Sequence, residues 1–441
     1  MGTRIGIACV VLACARPPAP IAPVPPVEVD DPAARAELVA PALDGYRAAF
    51  TISYSGARIG EARERFVSHG AAAGGYRFER TERIIVRRGG VAAPSFTQVE
   101  IDVDRSLTAR RILVRRQTGT LTTEFRASRL VDGGWRVSHG KASSRLVDGA
   151  AVPSTLVPLL VAASGAWPGR AFDGPVLMEG AGMAAARLVV DIRDDRRVAH
   201  GTLLTAAGIL RARALLDKRG FLVSAGGEKG VASRRVDEQE LALPFDPPEI
   251  VESSALKVAG SSSGQGGLHL LVHGARRPPP VIPEIPEQSV TLLPGGAWDV
   301  RIEQATEIPG IGEIHERSTY VSQLLIDDLA VFSLAPEDSL VVGRGDCTAH
   351  AIVLKKLLEE KGYETRLATG YLLGDGALGR HRWVLVKVGR RWIGVDPTTE
   401  QVPVAPNLLA LAVHGSSLDE LAFVDEVAFA GLDAAEVRHV P

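Results

Sequence analysis

The chain has 441 residues, 46% of them hydrophobic, and its 50 Lys and Arg against 52 Asp and Glu leave a net charge of −2. That length holds two or three domains, and the near-cancelled charge excludes the basic footprint of a nucleic-acid-binding protein. Plentiful Gly (46) and Pro (28) with few aromatic residues suit a soluble, turn-rich chain.

The N-terminus reads MGTRIGIACVVLACARPP. Arg4 supplies a short positive region and residues 5–13 an apolar one, too short to span a bilayer. Val11-Leu12-Ala13-Cys14 resembles a bacterial lipobox. The resemblance implies cleavage before Cys14, lipidation of its thiol and acylation of the new amine. Ala15 after the cysteine implies an outer-membrane lipoprotein facing the periplasm. The competing account is an ordinary signal peptide cut elsewhere. On the lipoprotein account residues 1–13 are the signal peptide, and two or three acyl chains anchor the protein to the membrane. Residues 14–44 form a Pro/Ala-rich linker that is extended as a spacer, with a short helix at 32–43.

From 46 to about 250 the pattern is mostly antiparallel strand. Segments 46–53, 61–67, 76–86, 97–103, 107–116 and 120–126 alternate or carry β-branched residues, with Gly and Asp turns between them. Residues 54–60 form a tight hairpin, and residues 154–163 predict one short helix. Ser-Arg-Leu-Val-Asp-Gly occurs twice, at 128–133 and 144–149, and predicts neighbouring hairpin strands. Arg58, Arg63, Arg65, Arg110, Arg111, Arg115 and Arg116 read as solvated strand faces. The region weakly resembles β-rich modules of bacterial envelope lipoproteins. Residues 253–267 are small and polar and mark a break or linker. Strands are predicted again at 268–272 and 298–302, with Pro-rich, extended chain at 276–286. The β-rich region is therefore drawn as 45–305.

Residues 313–329 predict a helix leading into Gly343-Arg344-Gly345-Asp346-Cys347-Thr348-Ala349-His350-Ala351. Cys347 is the only cysteine after the first 14 residues, and a secreted chain has little reason to keep one free thiol unless it reacts. Ala351, Leu354 and Leu358 continue from it at helical steps, with Asp346 as N-cap and Gly362 as the stop. The first helical turn favours thiolate over thiol, and its N–H groups can receive a developing oxyanion. Strands follow at 365–373, 381–388 and 391–396, with turns at Gly374-Asp375-Gly376 and Gly389-Arg390. A two-residue turn at Gly389-Arg390 pairs Val388 with Arg391, and counting outward makes His381 and Asp396 diagonal neighbours on one face. Arg380 and Arg382, flanking His381, place positive charge near the mouth of a groove. Beyond Asp396, residues 408–414 and 421–429 read as packing elements.

Gly345-Asp346-Cys347, Ala351, Gly370-Tyr371, His381-Arg382-Trp383 and Trp392 to Thr398 together resemble the transglutaminase-like (papain-like thiol) superfamily. The resemblance runs from about 338 to 401. It departs at Arg382, where a small residue is common, and at residues 384–387, which lack the usual acid. It implies an α+β fold, with a β-rich antiparallel N-terminal region followed by a papain-like transglutaminase core at 306–441. It also implies catalysis by Cys347 as nucleophile, His381 as base then acid, and Asp396 as the orienting carboxylate, through a thioester. The protein is then an envelope-anchored hydrolase or acyltransferase acting on an amide of a protein, peptide or cell-wall peptide. The alternative is a non-catalytic binding protein of the envelope.

Other candidates are weaker. His350 lies three residues after Cys347, but no further ligand cluster makes it a metal site. His269 and His273 are four apart in a predicted strand, where that spacing is not a helix pair. Asp338 and Asp375 read as surface turns, and no phosphate-cradling loop is present. The sequence therefore implies no metal, no cofactor and no nucleic-acid partner.

Overall fold

The computed structural model describes residues 43 to 439, except 69–74, 119–120, 140–144, 148–150, 164–170, 180–181, 194–195, 206–207, 228–230, 260–266, 274–282, 284, 286, 305–308, 330–335, 375, 416–423, 425–427 and 430–435. Cys14, the signal segment, the linker to residue 42, residues 260–266, Asp375 and most of 276–286 and 421–429 lie outside the described residues, and within the predicted linker 253–267 residues Leu256–Ala259 are instead a strand. Two compact units are formed: 43–86 with 94–248, and 87–93 with 249–439.

The first unit is a fifteen-stranded sheet, among the described residues, running from Arg47–Tyr54 to Val231–Val236. Its spatial order goes from the eighth strand back to the first, then from the fifteenth back to the ninth. Strands thus pair with sequence neighbours, apart from the first, which also pairs antiparallel with the last (Ile52 opposite Ser233). The two-residue strand Val152–Pro153 lies parallel to Ala171–Met178. Alternation explains the layer. In Val91–Asp104, Val99, Ile101 and Val103 are buried, and Gln98, Glu100 and Asp102 lie between them. The outward carboxylates take up the arginine runs: Asp102 holds Arg77 at 2.7 Å and Arg111 at 2.9 Å, and Glu124 holds Arg115 at 3.2 Å. Arg111 and Arg115 are about half exposed, as the strand-face expectation has it, but Arg77 and both carboxylates are mostly buried. Arg58 departs from that expectation, being mostly buried and donating to the Glu240, Leu241 and Leu243 carbonyls. The short helical segment is Ser154–Leu156 continuing into Val157–Ala163.

The repeated hexapeptide does not form neighbouring strands. The first copy ends strand Leu121–Arg129 and enters a turn, whereas the second contains strand Arg145–Val147. Both pair with Trp135–His139, which lies between them.

Among the described residues the second unit is built on a nine-stranded sheet. Its order is Gln288–Leu292, Ala297–Ile302, Leu268–His273, Glu436–His439, Leu256–Ala259, Ala377–Val388, Thr365–Gly374 and Leu408–His414, with Arg391–Val395 also paired to Ala377–Val388. Strands Leu268–His273 and Ala297–Ile302 therefore share the sheet that carries the 365–395 strands, and the division between units falls at 248/249 rather than at 305/306. Helices Gly312–Leu324 and Cys347–Glu359 pack on this sheet: Ile314, Val321, Ile352, Val353 and Leu354 share a buried cluster with Leu367, Val384, Val386, Ile393 and Val395. Alternate residues Trp383 and Leu385 join another cluster with Ala368, Val404, Leu408 and Ala410. The middle of strand Ala377–Val388 is buried on both faces, which explains the apolar run from Trp383 to Val386. The chain is β-rich, and no helix among the described residues is long and apolar enough to cross a membrane.

Candidate active site

Helix Cys347–Glu359 begins where the sequence places it. Asp346 adopts the extended backbone of a cap, and its Oδ1 accepts from the N–H groups of Thr348 (3.0 Å) and Ala349 (3.3 Å). A Cβ on Gly345 would come within 2.2 Å of the Ala349 methyl, so glycine is required before the cap. At the other end Gly362, at φ +87°, reverses the chain, and the Tyr363 N–H bonds the Leu358 carbonyl. Cys347 thus opens the first helical turn and is 3% exposed. Because Asp346 takes up the Thr348 and Ala349 N–H groups, those two donors are not available to an oxyanion, contrary to the expectation from sequence.

The hairpin Ala377–Val388 with Arg391–Val395 supplies the partners. Val388 lies opposite Arg391 and Val384 opposite Val395, the register counted from the turn. Regular pairing stops at Val395, and Asp396 instead exchanges both backbone hydrogen bonds with Gln401. His381 Nε2 and Asp396 Oδ2 are 2.7 Å apart, and Cys347 is hydrogen-bonded to His381. Asp396 also accepts from the Thr398 N–H (3.0 Å) and the Thr399 hydroxyl (2.6 Å). The structure therefore brings together Cys347, His381 and Asp396. Thr399, as a further partner of Asp396, gave no signal in the sequence beyond following it in the chain.

Burial disfavours charge on all three groups, yet mutual attraction prevails. Burial pushes the Cys347 thiol up and Asp346 adds to that, whereas the charge and hydrogen bond of His381 pull it down. Burial pulls His381 down, but Asp396 and Cys347 raise it to about 10. Asp396 is held below the usual carboxylate range despite burial, by His381, Thr399 and Thr398. The mutual influence of Cys347 and His381 thus pulls toward thiolate and imidazolium, against burial.

Buried polar groups surround the pair. Arg382 donates from Nε to Thr369 Oγ1 (3.0 Å) and from a terminal nitrogen to Thr348 Oγ1 (3.1 Å). Arg380 lies with its guanidinium 4.5 Å from the centre of the Phe429 ring. Both arginines are only 3% exposed. The expectation that they charge a groove mouth is therefore corrected: on a strand buried on both faces their side chains enter the interior, where hydroxyls and an aromatic ring receive them. Gly370, before Tyr371, lets strand Leu408–His414 approach, since a Cβ there would sit 1.9 Å from the Leu409 carbonyl oxygen. His350 is not a ligand: its ring nitrogens lie 3.0 Å from the Asp346 and Leu325 carbonyl oxygens. Among the described residues no group of three or more His, Cys, Asp or Glu is arranged to hold a metal. His269 lies 2.7 Å from Asp299 on the neighbouring strand.

Residues 318–397 match the family model of the transglutaminase-like superfamily core. The chain is similar to a β-barrel-like protein of a domain of unknown function, DUF1849, from Brucella abortus: 16% identity, 44% of this chain and 95% of that one, TM-score 0.34. It is similar to a DUF1089 family protein from Pseudomonas aeruginosa, at 12% identity over 37% of this chain and 87% of that one, TM-score 0.26. A third similar structure is a proposed cysteine protease from Cytophaga hutchinsonii, at 14% identity over 42% and 82% of the two chains, TM-score 0.20. No curated protein matches the chain.

Proposed function

We propose that the protein is a thiol enzyme that cleaves or transfers an acyl group at an amide, with Cys347 as nucleophile, His381 as acid and base, and Asp396 holding the imidazole. The observation that carries it is the connected set Cys347–His381–Asp396, at the start of a helix inside a transglutaminase-like domain. Members of that superfamily are generally cysteine hydrolases or acyltransferases.

In the proposed cycle, Cys347 Sγ forms a bond to the carbonyl carbon. The C–N bond then breaks as the proton on His381 passes to the leaving nitrogen. That leaves a thioester and neutral His381, whose remaining ring proton is held toward Asp396. Water, or an amine, gives its proton to His381 and attacks the thioester, and the thiolate departs. Hydrolysis yields a free acid; transfer yields a new amide. Bulk water at about 55 M outcompetes an amine unless a dedicated acceptor site holds the amine at high effective concentration, so hydrolysis is the favoured branch. With Arg380 and Arg382 buried, repulsion of a lysine at the groove mouth does not enter into it.

The substrate class is a protein, peptide or cell-wall peptide, and the papain-like core remains part of the same proposal. So does the location: a lipid on Cys14 tethers the protein to the outer membrane, facing the periplasm. Metabolic labelling with a fatty-acid analogue should mark the wild type and not Cys14→Ser.

The decisive experiment is an intact-mass search for acyl adducts after exposure to envelope extracts, wild type against Cys347→Ala. A wild-type adduct, absent from the variant, is the expected result. No adduct, together with a thiol that small alkylating reagents do not label, overturns the proposal. That outcome favours the second reading, a non-catalytic peptide-binding domain, for which the near-complete burial of Cys347 speaks.

A further inference from the structure

Residues 87–93, the turn of the hairpin Gly75–Arg88 with Val91–Asp104, belong to the same compact unit as Cys347. The turn is held in place. Gly89 (φ +61°) and Gly90 (φ +78°) take left-handed backbone that other residues resist. Their N–H groups donate to the two carboxylate oxygens of Glu249 at 3.2 and 2.8 Å, and the Val251 N–H donates to the same carboxylate at 3.1 Å. Arg87 and Glu249 form a parallel bridge beside it. This anchoring fixes the neighbouring Arg88, which is 2% exposed and places a guanidinium nitrogen 3.4 Å from Asp346 Oδ2.

Asp346 is thus shared. One oxygen caps the helix of Cys347 and the other faces Arg88. A fully buried carboxylate next to the thiol is a problem for a thiolate, because its charge opposes a second negative charge. A buried cation against that carboxylate removes the conflict and lets the cap stay ionised. Taking the thiol-enzyme proposal as given, we infer that Arg88 is a positioning residue of this site, whose guanidinium neutralises the Asp346 cap and so permits a thiolate at Cys347. Its position 258 residues before Asp346 hides it from any motif.

Asp346, Cys347, Glu249 and Asp327 act on Arg88, Arg88 and Arg382 act on Asp346, and His381 and Asp346 act on Cys347. Burial, the largest influence, holds Arg88 below its ordinary value, and its acidic neighbours offset it in part.

The test is the pH titration of the Cys347 thiolate by its ultraviolet absorbance in the full chain, with the Cys347→Ala protein subtracted. Arg88→Met should raise the midpoint by about one pH unit or more, and Arg88→Lys should recover most of the difference. A second comparison avoids an orphaned carboxylate. Within an Asp346→Asn background there is no cap charge to neutralise, so Arg88→Met should shift the midpoint far less than it does in the wild type. A depressed wild-type midpoint that Arg88→Met leaves unmoved, or an Arg88→Met shift as large in the Asp346→Asn background as in the wild type, overturns the role of Arg88 alone. A wild-type midpoint in the ordinary thiol range overturns both this role and the thiol-enzyme proposal.

Discussion

The exposed strand faces of the first sheet and the surroundings of Cys347 handle charge differently. In the fifteen-stranded sheet, arginines such as Arg65, Arg110, Arg111 and Arg115 pair with acids on adjacent strands while remaining half exposed or more. In the nine-stranded unit, Arg88, Asp346, His350, His381, Arg382 and Asp396 are all buried, each hydrogen-bonded or ion-paired to a partner there. Exposed pairs are screened and exchange freely with water, so they contribute little; buried ones are costly to leave unpaired. Charge removed from water at one place is a signature of chemistry or of a structural need, and charge on a strand face is neither.

The sharpest break in that comparison is in activity. Cys347→Ala and His381→Ala should each lower turnover roughly 10³-fold or more, and the double variant should lose little beyond either. Asp396→Asn should retain more, because it orients rather than transfers a proton. Arg115→Ala in the first sheet should leave turnover unchanged. Measured kcat/KM for the series checks it.

Next in size is stability. Asp346→Ala removes a cap and leaves Arg88 facing an empty site, and should destabilise the second unit by about 3–5 kcal/mol, read as a shift of its unfolding transition in urea.

A smaller effect depends on pH. Arg382 donates to Thr369 Oγ1, which lies 3.3 Å from His414 Nε2, so the Thr369 hydroxyl can donate onward to a neutral His414. Burial, then the charges of Arg382 and Lys355, depress His414 to about 3. A group depressed in the folded state binds fewer protons there than when unfolded. Its stabilising contribution is therefore complete above the unfolded value of about 6.5 and is lost as pH falls from there toward about 3. His414→Gln should flatten the acid limb of melting temperature against pH below about 6.5.

The smallest effect is the control. Arg115→Ala, losing an exposed pair with Glu124, should change stability by under about 0.5 kcal/mol, measured in the same urea series.

How much of this was legible depended on distance along the chain. The helix of Cys347 and its cap are written in consecutive residues, and counting outward from a two-residue turn gives the register as far as Val384 opposite Val395, one residue short of Asp396. Strand segments in the first region were legible because hairpin neighbours alternate inside and out. The burial of Arg380 and Arg382 was not, because one strand cannot reveal that both of its faces are covered. The joining of Leu268–His273 and Ala297–Ile302 to the second sheet was not either, since strand patterns name no partner. Arg88 was least legible: nothing in a hairpin turn records the carboxylate it meets.

Strand Glu436–His439 lies between Leu256–Ala259 and Leu268–His273, parallel to the first and antiparallel to the second. During synthesis, the fifteen strands of the first sheet are all available once residue 236 has emerged, whereas the second sheet lacks an interior strand until residue 436 does. The first sheet can therefore be complete about 200 residues before the thiol-bearing unit can close. A chain stopped short of residue 436 carries Cys347 on a helix, and His381 on a strand, of a sheet missing that interior strand.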